Sequence, residues 1–124
     1  MAEKRLTDGE WQVLCALWDA EEGRTLGQVV EALRPRTGWS RNTALTYLTR
    51  MEAKGLVSIC KDGSPHSYRA AVSREDCAAR QRRDLLERVY QGSAGRLVAA
   101  FLKEERLTAQ ERDELRRLLD EMEV

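Results

Sequence analysis

From Leu6 onward, apolar residues return every third and fourth position, the period of a helix with one buried side. Trp11, Leu14, Cys15 and Trp18 follow at i, i+3, i+4 and i+7; Thr7 or Asp8 is placed to cap this first helix, Glu10 sits in its first turn, and Gly23 stops it. Leu26, Val29, Val30 and Leu33 repeat the spacing behind a Thr25 cap, with Pro35 and Gly38 as the closing signal. The third helix starts at a Ser40 cap, carries Ala44, Tyr47, Leu48 and Met51 on its apolar stripe, and ends at Gly55. Three short amphipathic helices in succession make a compact trihelical unit.

The period then shortens to that of strands. Val57, Ile59 and Cys60 in LVSICKD and Tyr68 and Val72 in HSYRAAV predict a hairpin, reversed by Asp62-Gly63-Ser64-Pro65. From Ser73 the pattern is helical throughout. Ser73 and Asp76 resemble a capping box that opens a helix reaching about Tyr90, with Leu85, Leu86 and Val89 apolar. Gly92, Ser93 and Gly95 interrupt; Leu97, Val98, Phe101 and Leu102 mark a second tail helix. Thr108 and Glu111 cap a third, carrying Leu115, Leu118, Leu119 and Met122. The expected fold is mainly α with a small β-hairpin wing: a winged helix-turn-helix over residues 1–72, then a helical dimerisation tail over 73–124.

A tail of this size has too little interior to be stable alone. Its apolar residues Leu85, Val89, Leu97, Val98, Phe101, Leu115, Leu118, Leu119 and Met122 are therefore expected to meet a second copy in a symmetric homodimer, with folding back on the wing as the alternative.

The third helix has a second side. With Ala44 at zero and about 100° per residue, Tyr47, Leu48 and Met51 cluster with it. Asn42, Thr46, Thr49 and Ala53 point the opposite way, flanked by Leu45 on one side and by Thr43 and Arg50 on the other. Exposed helix positions normally favour Glu, Lys and Gln, since Thr and Asn have lower helical propensity. Asn can pair with adenine, Thr can contact a thymine methyl or a base edge, and Arg can hold guanine or a phosphate, so this side suits the major groove of DNA. Arg41 stands beside it at the start of the helix, and Lys61, Ser64, His66 and Ser67 at the wing are placed for neighbouring phosphates. Trp39 can hold a phosphate through its indole N–H or pack on its own domain.

Formal charge is zero, but its distribution is uneven. Residues 34–69 hold seven Lys/Arg against two acids, whereas residues 1–33 and 103–124 are acidic by four and by three. A basic middle between acidic ends fits a polyanionic partner. Cysteines 15, 60 and 77 form no CxxC pair and His66 is the one histidine, so no metal and no cofactor is expected, and all three thiols read as reduced packing residues. Without a convergent acid, base and nucleophile or a Gly-rich phosphate loop, catalysis is not expected. No apolar run reaches the roughly 18 residues of a membrane span, and the N-terminus lacks the features of a signal peptide, which predicts a cytoplasmic protein without membrane insertion.

At LTDGEWQVLCALWD, SRNTALTYLTRMEAKGLV and the helical tail, the chain resembles the penicillinase-repressor (BlaI/MecI/CopY) family, from about Leu6 to Met122. The carrying elements are Glu10, Trp11, Val13 and Trp18, and then Thr43, Thr46, Leu48, Arg50, Lys54 and Gly55. The resemblance implies a winged-helix homodimer that represses β-lactam-resistance or copper-handling operons by binding palindromic double-stranded operator DNA. By position, Asn42, Thr43, Leu45 and Thr46 match the recognition-helix contacts, with Arg50 nearby; Leu45 stands where many relatives have Lys, Arg or Gln. Antibiotic-responsive members are cut in the tail through a membrane-sensor-dependent protease pathway, at an Asn-Phe bond. The matching bond here is Ala100–Phe101. Copper-responsive members end in a cysteine-rich motif, for which nothing after Cys77 provides residues. The competing readings are a winged-helix protein-interaction module and a ligand-sensing winged-helix regulator with a pocket lined by Trp11, Trp18 and Tyr90.

Overall fold

The structure, a computed structural model, describes residues 6–104 and 107–122. It forms two compact units, Met1–Arg82 and Arg83–Val124.

In the first unit, α1 (Asp8–Trp18) begins at Thr7, whose hydroxyl accepts the Glu10 N–H while the Glu10 carboxylate accepts the Thr7 N–H, a reciprocal box that satisfies two otherwise unpaired donors. Thr25 and Gln28 repeat this arrangement at the start of α2 (Leu26–Thr37). Ser40 opens α3 (Arg41–Ala53) by accepting the Thr43 N–H. This helix ends in a Schellman motif: Gly55, at φ 83°, donates to the Glu52 carbonyl, and Leu56 donates to that of Met51.

Pro35 lies inside α2 rather than closing it, and the helix stops at Gly38, which adopts φ 65°. Proline at that point removes a single hydrogen bond, to the Glu31 carbonyl, near an end where the ladder is already running out. The buried side of α1 is also rotated from the expected one. Val13, Leu14 and Leu17 are sealed, while Trp11, Cys15 and Trp18 are only half-buried. The reason is that α1 packs against α2, α3 and the sheet together, so its central stripe is covered from several sides and the bulky indoles take the margin.

The wing consists of β2 (Val57–Cys60) and β3 (Ser67–Ala70), antiparallel with Ile59 opposite Tyr68 and Cys60 opposite Ser67. A third strand, β1 (Arg24–Thr25), pairs with β3 and gives the sheet order β1-β3-β2. Two residues carry no periodic signal, and only pairing with β3 makes them a strand. Val57 and Tyr68 turn inward onto a core of Val13, Leu14, Leu17, Val29, Leu33, Leu48, Met51 and Cys77. Cys60 points the other way and is exposed, so it is not the packing residue expected; all three cysteines are free thiols.

Ser73 caps α4 (Arg74–Tyr90) by accepting the Asp76 N–H. The first turns of α4 belong to the winged-helix unit. Cys77 is buried there, the Trp18 indole donates to the Val72 carbonyl at 2.9 Å, and the Arg74 guanidinium lies 5.1 Å from the centre of the Trp18 ring. The second unit continues with α5 (Ala94–Lys103), capped by Ser93, and α6 (Ala109–Glu121), opened by a Thr108–Glu111 capping box. None of its described residues is buried.

Candidate nucleic-acid interface

Helix α3 separates into two sides. Ala44, Leu48 and Met51 are completely buried against the core, and Tyr47 is half-buried. Arg41, Asn42, Thr43, Leu45, Thr46, Thr49, Arg50 and Ala53 are all exposed. The one exposed acid of this helix, Glu52, lies towards its C-terminal end.

Aromatic packing fixes the start of the helix. Trp39 stacks on Tyr47, with ring centres 4.2 Å apart and planes 14° from parallel. Trp39 is thus a packing residue that props the N-terminal half of α3. Behind it, a Cβ added to Gly9 would collide with the Tyr47 hydroxyl and fall 2.7 Å from two ring carbons, so the close approach of α1 to Tyr47 requires glycine.

The other end is held by charge. Glu10 is the buried charged residue of the core and its carboxylate receives the ammonium of Lys54, the C-cap of α3. Burial pushes the Glu10 carboxyl up, but the hydrogen bond from Lys54 and those with Thr7 outweigh it and hold the group below the usual carboxylate range. Burial also pushes the Cys77 thiol up, keeping it in the neutral form of a packing residue.

The structure sorts the seven cations of residues 34–69. Arg34 pairs with Glu31 at 2.9 Å, Arg36 donates to the Gln12 side chain, Lys54 to Glu10, and Arg69 to the Glu22 carbonyl. Arg41, Arg50 and Lys61 have no ion-pair or hydrogen-bond partner among the described residues. They are the cations on α3 and at the tip of the wing. Lys61, Ser64 and His66 are exposed in the connection between β2 and β3, and Ser67 is half-buried on β3. Thr43 alone among the outer α3 hydroxyls is engaged, since Ser40 donates to it at 3.1 Å.

The sequence pattern therefore finds the outward residues but not their supports. Glu10 is visible as a helix-capping acid, yet its partner lies 44 positions away, and no local spacing signals that pairing. Gly9 gives no signal at all. Among the described residues no group of His, Cys, Asp and Glu is arranged to hold a metal ion.

The profile of the penicillinase repressor family matches residues 6–121. The chain belongs to that family. Its members are transcriptional repressors rather than enzymes. Transcriptional regulator BlaI of Mycobacterium tuberculosis is 36% identical over 120 residues, covering 97% of this chain and 86% of that protein. Methicillin resistance regulatory protein MecI of Staphylococcus aureus is 27% identical over 115 residues, covering 93% of each. Among solved structures, the solution structure of the Bacillus licheniformis BlaI monomeric form in complex with the blaP half-operator superposes with a TM-score of 0.51. The two are 25% identical over 59% of this chain and 88% of that one. MarR of E. coli, at 21% identity and a TM-score of 0.50, shares the fold over 94% of this chain.

Proposed function

We propose that this penicillinase-repressor family protein is an operator-binding repressor that acts as a homodimer and reads a two-fold symmetric DNA site with the outer side of α3. The observation that carries the reading is the division of α3 itself. Its apolar side is consumed by the core, and its Asn/Thr side is exposed and bordered by the uncompensated cations Arg41 and Arg50. The similarity to a BlaI in complex with its half-operator supports operator DNA as the partner.

In this mechanism α3 enters the major groove, Asn42, Thr46, Leu45 and Thr49 meet base edges, and Thr43, already tied to the Ser40 cap, lies nearer the backbone. Arg41, Arg50, Lys61, Ser64 and His66 contact phosphates, which fixes register without carrying sequence. Two heads bound one helical turn apart occlude the promoter.

The tail joins the two copies. Leu85, Val89, Val98, Phe101, Leu118, Leu119 and Met122 are exposed large apolar side chains, and Leu97 and Leu115 beside them are half-buried. A unit with no buried residue among those described gains an interior by pairing. Repression ends when the pair separates, because one head keeps its own contacts and loses the joint engagement of two half-sites. The Ala100–Phe101 bond lies inside α5, with the Ala100 carbonyl accepting the Glu104 N–H, so a protease reaches it only when that turn opens.

Footprinting on the DNA flanking the gene, followed by titration at rising salt, tests the reading. A protected dyad and an affinity falling by ~10³ to 10⁵ between low and moderate salt are expected for a dimer making on the order of 6 to 10 phosphate contacts. A protein-interaction module would give no protected site and no steep slope.

A further inference from the structure

Among the described residues, the large apolar side chains in the exposed class lie in the tail, between Leu85 and Met122, with one exception. Leu45 is the exception: among the described residues of Met1–Arg82 it is the one large hydrophobic residue in the exposed class, at 39%. A single leucine on a surface calls for no explanation by its exposure alone. Its surroundings are what distinguish it. Leu45 sits on the outer side of α3, with Arg41 and Asn42 on the preceding turn, Thr46 adjacent and Thr49 on the following turn, all exposed. Every one of these neighbours is a hydrogen-bonding group. Core packing does not account for Leu45 either, because the buried stripe of α3 is already complete with Ala44, Leu48 and Met51.

An apolar side chain among groups suited to base edges has one matching chemistry in the major groove. Thymine alone of the four bases presents a methyl group there, next to its O4 acceptor. A lysine or glutamine would seek an acceptor or donor, whereas leucine is indifferent to both and gains only from covering carbon. Over adenine, guanine or cytosine it would cover polar groups with no methyl to offset them, which disfavours those bases beneath it.

We infer that Leu45 is a specificity-determining residue that packs on the C5-methyl of one thymine in each half-site. The inference rests on the repressor reading above. Arg41 and Asn42 on one side and Thr49 on the other hold the helix over that base pair, and Leu45 reads the methyl by displacing water from it.

Deoxyuridine differs from thymidine only in lacking this methyl, so it is the probe. A duplex carrying the footprinted or selected site is titrated with each thymine replaced singly by deoxyuridine, using wild type and Leu45→Ala. One position per half-site is expected at which deoxyuridine weakens wild-type binding about fourfold, the worth of one buried methyl. Leu45→Ala is expected to bind the thymine and deoxyuridine duplexes equally at that position while keeping the wild-type penalties elsewhere. Leu45 is outside the core, so unchanged thermal unfolding of Leu45→Ala accompanies this result. Sequence-specific binding with no thymine whose methyl dependence vanishes in Leu45→Ala overturns the inference and leaves the repressor reading standing. Absence of any sequence-specific binding overturns both.

Discussion

The carboxylate of Glu10 serves two helices at once: one oxygen accepts the Thr7 N–H that starts α1, and the other accepts the ammonium of Lys54 that ends α3. A buried acid thereby ties the entry of α1 to the exit of α3. The Lys54 side chain remains 42% exposed against 6% for Glu10, so the pair is anchored from the inside and reached by solvent from one end.

Replacing Glu10 with Gln keeps the shape and removes the charge. At neutral pH this is expected to cost about 1–3 kcal/mol, the range for a hydrogen bond to a charged group in a partly shielded site. Because the folded-state pKa lies below the ordinary carboxylate value, the stabilisation from Glu10 is complete above that value and disappears as pH falls through the folded pKa. Urea denaturation of wild type and Glu10→Gln should therefore differ at neutral pH and converge in acid, once the pH is below the depressed folded-state pKa of Glu10. Curves separated equally at both pH values would contradict the ion-pair account.

Gly9→Ala places a methyl group against the Tyr47 ring, which cannot withdraw without losing its stack on Trp39. A loss of about 1–3 kcal/mol is expected from overpacking. Adding Tyr47→Phe removes the hydroxyl oxygen but leaves both ring carbons at 2.7 Å, so thermal unfolding of the double variant should recover only part of the loss.

Two alanine substitutions separate reading from holding. Thr46→Ala should relax discrimination at one base pair of each half-site by about 0.5–1.5 kcal/mol, the net worth of a single hydrogen bond, and leave binding to unrelated sequences unchanged. Lys61→Ala, which removes an uncompensated cation from the wing of each subunit, should weaken all sequences alike and lower the salt slope of the dimer by about two, one for each half-site. Fluorescence anisotropy on specific and scrambled duplexes distinguishes the two.

Leu119 is 63% exposed and lies on α6. Leu119→Asp leaves the winged-helix core intact and sets like charges against each other across a two-fold contact. Sedimentation equilibrium should give the monomer mass, and the variant should retain half-site binding while losing the high affinity for the full dyad. An unchanged dimer would move the interface away from this side of α6.

Helix starts were legible in the sequence because their causes are local. Thr7, Thr25, Ser40, Ser73 and Thr108 each accept a backbone N–H three residues on, and Ser93, read from the sequence only as part of an interruption, does the same for α5. The outward set on α3 was legible for a similar reason, since a period of 3.6 residues separates Asn42, Thr46 and Thr49 from Ala44, Leu48 and Met51 wherever the helix docks.

Contacts between distant segments decided the rest. Pairing with β3 made a strand of Arg24–Thr25, Tyr47 reserved position 9 for glycine, and Glu10 took Lys54 out of the surface charge. Of the seven cations counted along the chain, Arg34 and Lys54 are neutralised by Glu31 and Glu10, Arg36 and Arg69 are held by the neutral Gln12 side chain and Glu22 carbonyl and keep their charge, and Arg41, Arg50 and Lys61 have no partner among the described residues. Local spacing specifies which residues share a helix side. Only the tertiary structure determines which charges that side has left to offer, since an ion's partner is chosen by proximity in space.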